Sequence, residues 1–329
     1  MAPERFLVTG SSGHLGEALV RVLRRRGTPT TGLDVLPPPW TDVVGSVADP
    51  GAVARAVRGA THVLHTATLH KPHVGTHSRR AFVEVNVAGT QTVLDAAATV
   101  GAPVVVTSTT SAFGRALATA PGEPSAWIDE DVVPRVRNVY GATKVAAEDL
   151  AELAAADGLP VVVLRTSRFF PEPDDRDDVR AAYADAGLKT LEFAHRRVDL
   201  ADVVEAHLLA ARRAARVGFH RLVVSATTPF ARVDAPALGR DLPGLFAQRF
   251  PDLAEGFAAR GWRLPGRIDR VYDNAHARRV LSWTPAHDLH VAARRALRDG
   301  DPLGDLAREV GAKGYHPEPT GVYTARSRR

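Results

Sequence analysis

The sequence predicts an α/β fold, a doubly wound parallel sheet that carries a smaller C-terminal lobe. Three observations predict it. Short β-branched runs alternate with longer Ala-rich stretches through the first two thirds of the chain, the pattern of parallel strands joined by crossover helices. The strand-like runs, such as Val104-Val-Val-Thr-Ser108, are apolar with little alternation, which suits a sheet covered on both faces. Glycines at 10, 13 and 16 follow the first run directly, where a strand would turn sharply into a helix.

The β-branched runs place strands at 6–9, 30–34, 43–47, 62–66, 104–108 and 161–165, with a later one at 221–225. Between them the Ala-rich stretches place helices at 13–26, 51–58, 78–100, 139–157 and 199–216. After Arg165 the pattern breaks at Phe169-Phe-Pro-Glu-Pro-Asp-Asp-Arg-Asp-Asp178, a polar, Pro-interrupted segment that leaves the sheet for a substrate-covering region. The helix and strand between 199 and 225 return to the sheet, and from Thr227 onward the Pro and Gly density rises. The expected division is a dinucleotide-binding domain at 1–167 with a returning segment at about 198–226, and a substrate lobe at 168–197 and 227–329. The Arg-rich end, Ala325 to Arg329, is expected to fray.

Composition narrows the chemistry. A chain of 329 residues, 45% hydrophobic and 24% charged, can bury a full core. Cysteine is absent, which removes disulfides, thiolate nucleophiles and cysteine zinc sites. No apolar run approaches about 18 residues and no signal segment precedes the first strand, so no membrane contact and a cytoplasmic location are expected. The net charge of +5 comes from scattered arginines, with no basic block interleaved with aromatics. Nucleic acid is therefore not expected as a partner.

The loop Gly10-Ser-Ser-Gly-His-Leu-Gly16 is read as a phosphate cradle. Gly10 permits the tight turn, Gly13 lets the backbone approach a pyrophosphate at the helix N-terminus, and Gly16 allows close packing of helix on strand. Ser12, His14 and Leu15 belong to the same cradle. The second strand ends at Asp34, about 20 residues on, where a carboxylate accepts from an adenosine ribose and repels a 2′-phosphate. NAD is the expected cofactor. Val47 falls beside the adenine, and Ala67 ends the fourth strand on the same crevice.

Tyr140 and Lys144, in Asn138-Val-Tyr-Gly-Ala-Thr-Lys144, lie four residues apart and share one helix face. A neighbouring cation favours the phenolate. Bringing a phenol from about 10 to roughly 7 takes about 4 kcal/mol of differential stabilisation. Upstream, Thr107-Ser-Thr-Thr-Ser-Ala-Phe-Gly114 brings several hydroxyls to the end of the fifth strand.

Taken in order, the glycine loop, this hydroxyl cluster and Tyr140-x-x-x-Lys144 resemble the extended short-chain dehydrogenase/reductase superfamily, in particular its NAD-dependent epimerase/dehydratase branch, with its Rossmann-type domain. The resemblance spans residues 5–225. Asn86-Val-Ala-Gly-Thr90 is similar to the family's helix motif after strand four, Val198-Asp-Leu-Ala-Asp-Val-Val-Glu-Ala206 to a later segment, and Leu281-Ser-Trp-Thr-Pro285 to its C-terminal Leu-Gly-Trp-x-Pro. It implies that Tyr140 is the general acid/base and also touches the cofactor, and that Lys144 lowers its pKa and binds the nicotinamide ribose. It also implies that Asn86 lies in the cofactor site, and that the catalytic hydroxyl is Thr109, with Thr110 the nearest rival and a substrate contact.

The implied chemistry is oxidation of a substrate alcohol, with proton to Tyr140 and hydride to the nicotinamide. An epimerase returns the hydride to the other face, and a dehydrogenase releases the ketone. The expected function is epimerisation of a sugar or sugar nucleotide. The alternatives are a dehydrogenase or carbonyl reductase acting on another small alcohol or ketone, and a non-catalytic dinucleotide sensor. Thr110-Ser111 stands where the family's dehydratases carry Asp-Glu, which argues against dehydration. Arg165-Thr-Ser-Arg168 replaces the Arg-Pro-x-Asn of many nucleotide-sugar enzymes. Arg168 is thus assigned to an anionic substrate group, held bidentately. In the second lobe, Arg260 to Arg267 and Arg270 offer cationic and aromatic groups suited to an anionic ligand, and are equally read as ordinary surface residues. Three imidazoles in His70-Lys-Pro-His73-Val-Gly-Thr-His77 are read as a substrate-access loop rather than a metal site, because Pro72 breaks any helical register. The resemblance also implies a homodimer through helices 78–100 and 139–157.

Overall fold

The computed structural model describes residues 3–313. Its main sheet is built from β1 (Phe6–Thr9), β2 (Thr30–Asp34), β3 (Val43–Val44), β4 (His62–His65), β5 (Val104–Thr109), β7 (Val161–Thr166) and β8 (His220–Val224). Between β5 and β7 in the chain, β6 (Ala126–Ile128) pairs with β9 (Arg270–Tyr272) in a separate parallel ribbon. The main sheet runs β3-β2-β1-β4-β5-β7-β8, every pair parallel. Since β1 has β2 on one side and β4 on the other, the winding reverses there and a crevice opens beyond the carboxyl ends.

Fourteen α-helices lie among the described residues: α1 (His14–Arg25), α2 (Pro50–Ala56), α3 (Arg79–Val83), α4 (Gly89–Val100), α5 (Val139–Ala156), α6 (Asp177–Ala182), α7 (Asp185–Glu192), α8 (Leu200–Val217), α9 (Ala235–Leu238), α10 (Leu242–Arg249), α11 (Pro251–Ala259), α12 (Ala275–Leu281), α13 (Leu289–Asp299) and α14 (Asp305–Val310). Helices α1 and α8 cover one face of the sheet, where Leu15, Leu19, Leu23 and Val203 join Val8, Leu64 and Val105. On the other face α2, α4 and α5 bring Val53, Val93 and Ala151 to Leu7, Val63 and Val104. Successive strand residues thus point into two different cores, which explains the near-continuous apolar runs. The smaller lobe has its own aromatic core, including Phe230, Phe246 and Phe257.

Three details differ from the sequence reading. The stretch 78–100 is not one helix: α3 runs into a π-helical turn, Glu84–Ala88, before α4 begins. Asn86 is the buried residue of that turn, and such turns recur at functional sites. The third strand pairs only over Val43–Val44, so Val47 lies in the following connection. Part of the stretch assigned to the second lobe instead packs on the main core, where α12, Trp283 and α14 contribute Ala277, Leu281, Trp283 and Ala307. The segment Ala325 to Arg329 lies outside the described residues.

Two of the sequence motifs meet in space. Asp202 of α8 accepts from the backbone N–H groups of Ala286 at 2.8 Å and His287 at 3.0 Å, and from the His287 ring Nδ1 at 3.0 Å. Asp199 caps α8 at the Ala201 N–H and accepts from the Gly304 N–H at 3.0 Å. These carboxylates fasten the chain after Trp283 to the sheet domain. The Asp202 hydrogen bond holds His287 above the ordinary imidazole value of 6.5. A raised folded value means that the stabilisation is full below the unfolded value and is lost as pH rises through the folded one. The advantage of wild type over His287→Gln in urea unfolding should therefore shrink as pH rises above the ordinary value of 6.5. An advantage that grows with pH would contradict the assignment.

Candidate active site

The two ends of the glycine loop are shaped by close backbone approach. Gly10 has φ of 69°, and a Cβ there would lie 2.7 Å from the backbone of Ala67. A Cβ on Gly16 would lie 1.9 Å from the Gly10 carbonyl oxygen, so only glycine lets α1 start this close to β1. Nothing comparable surrounds Gly13, where the nearest atom to an added Cβ is the Gly10 carbonyl oxygen at 3.3 Å. Asp34 steadies the loop from β2, accepting from the Ser12 N–H at 2.9 Å and the Leu36 N–H at 2.9 Å. Val47 is brought in by Gly89, at which a Cβ would meet the valine methyl at 2.7 Å.

A cavity of about 1210 Å³ extends from this loop across the carboxyl edge of the sheet to the second lobe. Gly10, Ser12, Gly13, His14, Leu15 and Gly16 line one end with Asp34, Val47 and Ala67; Thr109, Thr110 and Tyr140 line the middle. Tyr140 is buried, and its phenol is hydrogen-bonded to Thr109. Burial pushes the phenol up to about 12, against the smaller lowering effect of that hydrogen bond. Lys144, one turn along α5, is also buried, and burial brings it down to about 8 while the charge of Glu148 opposes the fall. Its ammonium donates to the Thr107 carbonyl at 2.6 Å. That carbonyl lies just past the last paired residue of β4, where His65 stands opposite Val106. Lys144 thus satisfies the backbone where β5 outruns its neighbour.

A second tier of polar contacts fixes these groups. The Asn86 amide donates to the Leu69 carbonyl at 2.8 Å and the Thr143 hydroxyl at 3.0 Å; its oxygen accepts from the Leu69 N–H at 2.8 Å and the Thr68 hydroxyl at 3.0 Å. Asn86 was expected to touch the cofactor, but its amide is engaged on every side by protein. It ties the segment after β4 to α5, one residue from Lys144. Thr107 hydrogen-bonds His207 Nε2 at 2.9 Å, whose Nδ1 faces the Val203 carbonyl at 2.8 Å. Burial lowers His207 to about 4, so it is neutral, with Nδ1 carrying the proton.

On the far side, Arg168 lines the cavity, yet its guanidinium fork is filled by its own loop. Nη1 donates to Asp174 at 3.1 Å, and Nη2 to the carbonyls of Pro173 at 2.8 Å and Glu172 at 3.3 Å. Arg168, expected to hold an anionic substrate group bidentately, here turns both terminal nitrogens to its own loop. A Pro-broken loop has carbonyls with no ladder partner, and the arginine supplies their donors. Asp174, which sequence reasoning passed over, also receives the Arg176 N–H at 3.1 Å and the Arg196 guanidinium at 3.4 Å. Arg196 and Arg270 line the cavity from the second lobe. The segment 70–77 lines it as well, with a single 3-10 turn at Lys71–Gly75. No group of three or more His, Cys, Asp or Glu side chains among the described residues could hold a metal ion.

The comparisons with known proteins agree with this layout. Residues 6–224 match the NAD dependent epimerase/dehydratase family. The human 3 beta-hydroxysteroid dehydrogenase type 7 is 32% identical over 236 residues, 63% of this chain and 63% of that enzyme. The chain spans 39% and 63% of the length of the first two curated relatives it matches. Among solved structures, a short-chain dehydrogenase/reductase superfamily protein from Agrobacterium tumefaciens with bound NAD superposes with a TM-score of 0.64 at 21% identity, covering 89% of this chain and 96% of that one. The UDP-glucose 4-epimerase of Thermus thermophilus in complex with NAD gives 0.59 at 21% identity, covering 90% and 99%. With the parallel seven-stranded sheet and the glycine turn at its switch point, the match over residues 6–224 places this chain in the NAD-dependent epimerase/dehydratase family.

Proposed function

We propose that this chain epimerises a sugar or sugar nucleotide by transient oxidation of one of its alcohols, with NAD as the resident cofactor. The observation that carries the reading is one continuous cavity with the glycine turn at one end and the hydrogen-bonded Tyr140 and Thr109 in its middle. The turn fits a dinucleotide: its glycines keep the space that side chains would fill at Ala67 and at the Gly10 carbonyl. Gly10, Ser12, Gly13 and Gly16 would hold the pyrophosphate, Asp34 the adenosine ribose, and Val47 and Ala67 the flanking walls. Bound there, NAD supplies a hydride acceptor that can give the hydride back.

Tyr140 takes the proton of the substrate hydroxyl and returns it, while the Thr109 hydroxyl orients the substrate oxygen. Lys144 is largely cationic at neutral pH, with its value near 8, and that charge favours the phenolate. Val100 and Leu153, exposed on α4 and α5, suit the homodimer contact that belongs to the same reading. No helix among the described residues is long and apolar enough to cross a membrane.

A second reading, a dehydrogenase or carbonyl reductase, is favoured by one observation. Arg168, at the position where many nucleotide-sugar enzymes carry Asn, is committed to the loop at Pro173 and Asp174. Purified protein incubated with candidate sugar nucleotides decides between them. Interconversion of epimers without net absorbance change at about 340 nm supports epimerisation, whereas NADH formed in proportion to substrate sinks it.

A further inference from the structure

Only 4 of the 42 basic residues are lysine, and three of them converge on the segment 170–175. Lys71 pairs with Asp175. Lys189 of α7 donates to the Pro171 carbonyl at 2.5 Å. Lys313 accounts for the third contact, since its backbone N–H donates to Glu172 Oε1 at 3.2 Å while its ammonium reaches Glu17.

The last contact crosses to the cofactor end. Glu17 lies in the first turn of α1, where its N–H donates to the Gly13 carbonyl at 2.9 Å. Glu172 meets the His14 ring at 3.2 Å. Glu17 and Glu172 are 3% and 4% exposed. Burial works against ionisation of Glu172, but its contacts with His14 outweigh that and hold the carboxyl below its ordinary value. The glycine turn, the loop 170–175 and the chain after α14 are thus joined by buried charges along one wall of the cavity. Helix α14, which leads into this segment, is itself anchored to α1, because Glu309 takes Arg21 at 2.8 Å and also Arg25.

Charge makes this arrangement informative. A helix N-terminus with a glycine turn attracts a pyrophosphate, which brings about two negative charges. Two buried carboxylates beside it would repel that anion; Arg21, at 2.7 Å, and the Lys313 ammonium offset Glu17, while Glu172 meets the His14 ring and the Lys313 backbone N–H. We propose that Lys313, Glu172 and Glu17 form a strap over the pyrophosphate end of the cofactor site, so that the dinucleotide leaves only when the strap opens. The proposal rests on the reading that this cavity holds NAD. It suits an enzyme that returns its hydride to the same substrate molecule and so has no need to exchange cofactor each turnover.

The test uses the full chain and NADH as probe, its release followed by fluorescence after mixing with excess NAD. Lys313→Ala and Glu172→Gln should each release NADH at least about tenfold faster than wild type, with association changed far less. Lys313→Arg should keep release slow, and thermal unfolding of Lys313→Ala should match wild type. Release from Lys313→Ala as slow as from wild type overturns the strap and leaves the proposed reaction standing. A wild-type chain that binds no nicotinamide dinucleotide overturns both.

Discussion

Tyr140→Phe should lower turnover by roughly 10²- to 10⁴-fold, the range set by loss of a positioned general acid/base, while leaving both fold and cofactor binding intact. The argument for intact folding is local. The phenol is buried and its partner is Thr109, but the Thr109 oxygen also accepts the Ser111 N–H at 3.0 Å, so the substitution leaves that acceptor satisfied. Phenylalanine fills the same volume, and the expected stability change is under about 1 kcal/mol. Most of the cofactor contacts are assigned to the glycine turn and Asp34, at the other end of the cavity, so NADH affinity should change little. Direction matters too. A phenol held near 12 by burial is a poor base until a cation favours its ionised form, so the oxidative half-reaction of wild type should speed up with rising pH. Turnover and cofactor content measured on the same preparation decide the matter. Wild-type turnover in Tyr140→Phe would remove the residue from the mechanism.

The sheet was legible because both faces are covered: residues 104 to 106 read as an unbroken apolar run, and the structure sends Val104 and Val105 into opposite cores. The glycine turn was legible because its constraint is local, with Gly16 forced by an atom only six residues away. What the sequence left illegible is which partners each polar side chain meets. Asn86 looked like a cofactor ligand, yet its hydrogen bonds run to Leu69 and to Thr143, 57 residues on. Arg168 looked like an anion site, yet its own loop folds back to occupy it. The roles of Asp174, Glu172 and Lys313 had no spacing signal, because the contact between Lys313 and Glu17 closes 296 residues of chain. The scarcity of lysine was the one compositional hint, and it became meaningful only when three of the four were seen on one segment.

Beneath the catalytic groups, Arg165→Leu should destabilise the protein by about 3–5 kcal/mol, the cost of removing one partner from a buried ion pair. Arg165 on β7 and Glu148 on α5 are 3% and 1% exposed. Arg165 Nε lies 3.2 and 3.1 Å from the two Glu148 oxygens, and Nη2 lies 2.7 Å from Oε2. Glu148 also accepts from Ser108, the residue opposite Arg165 in the sheet register and next to Thr109. Leucine at 165 would leave the carboxylate with Ser108 and with the more exposed Arg221 at 3.4 Å. It would also remove the guanidinium that stacks 4.9 Å over Phe113. Adding Glu148→Leu should restore much of the loss, because the uncompensated charge is then gone. Recovery of stability in this double variant should not bring recovery of activity. Without the Glu148 charge, Lys144 loses the influence that opposes its burial and falls below its value near 8, so less of it carries the charge that favours the Tyr140 phenolate. Urea unfolding of the two variants, with turnover measured from about pH 6 to about pH 9, separates the effects. Arg165→Leu within about 0.5 kcal/mol of wild type would show that the pair contributes nothing to holding β7 and α5 together.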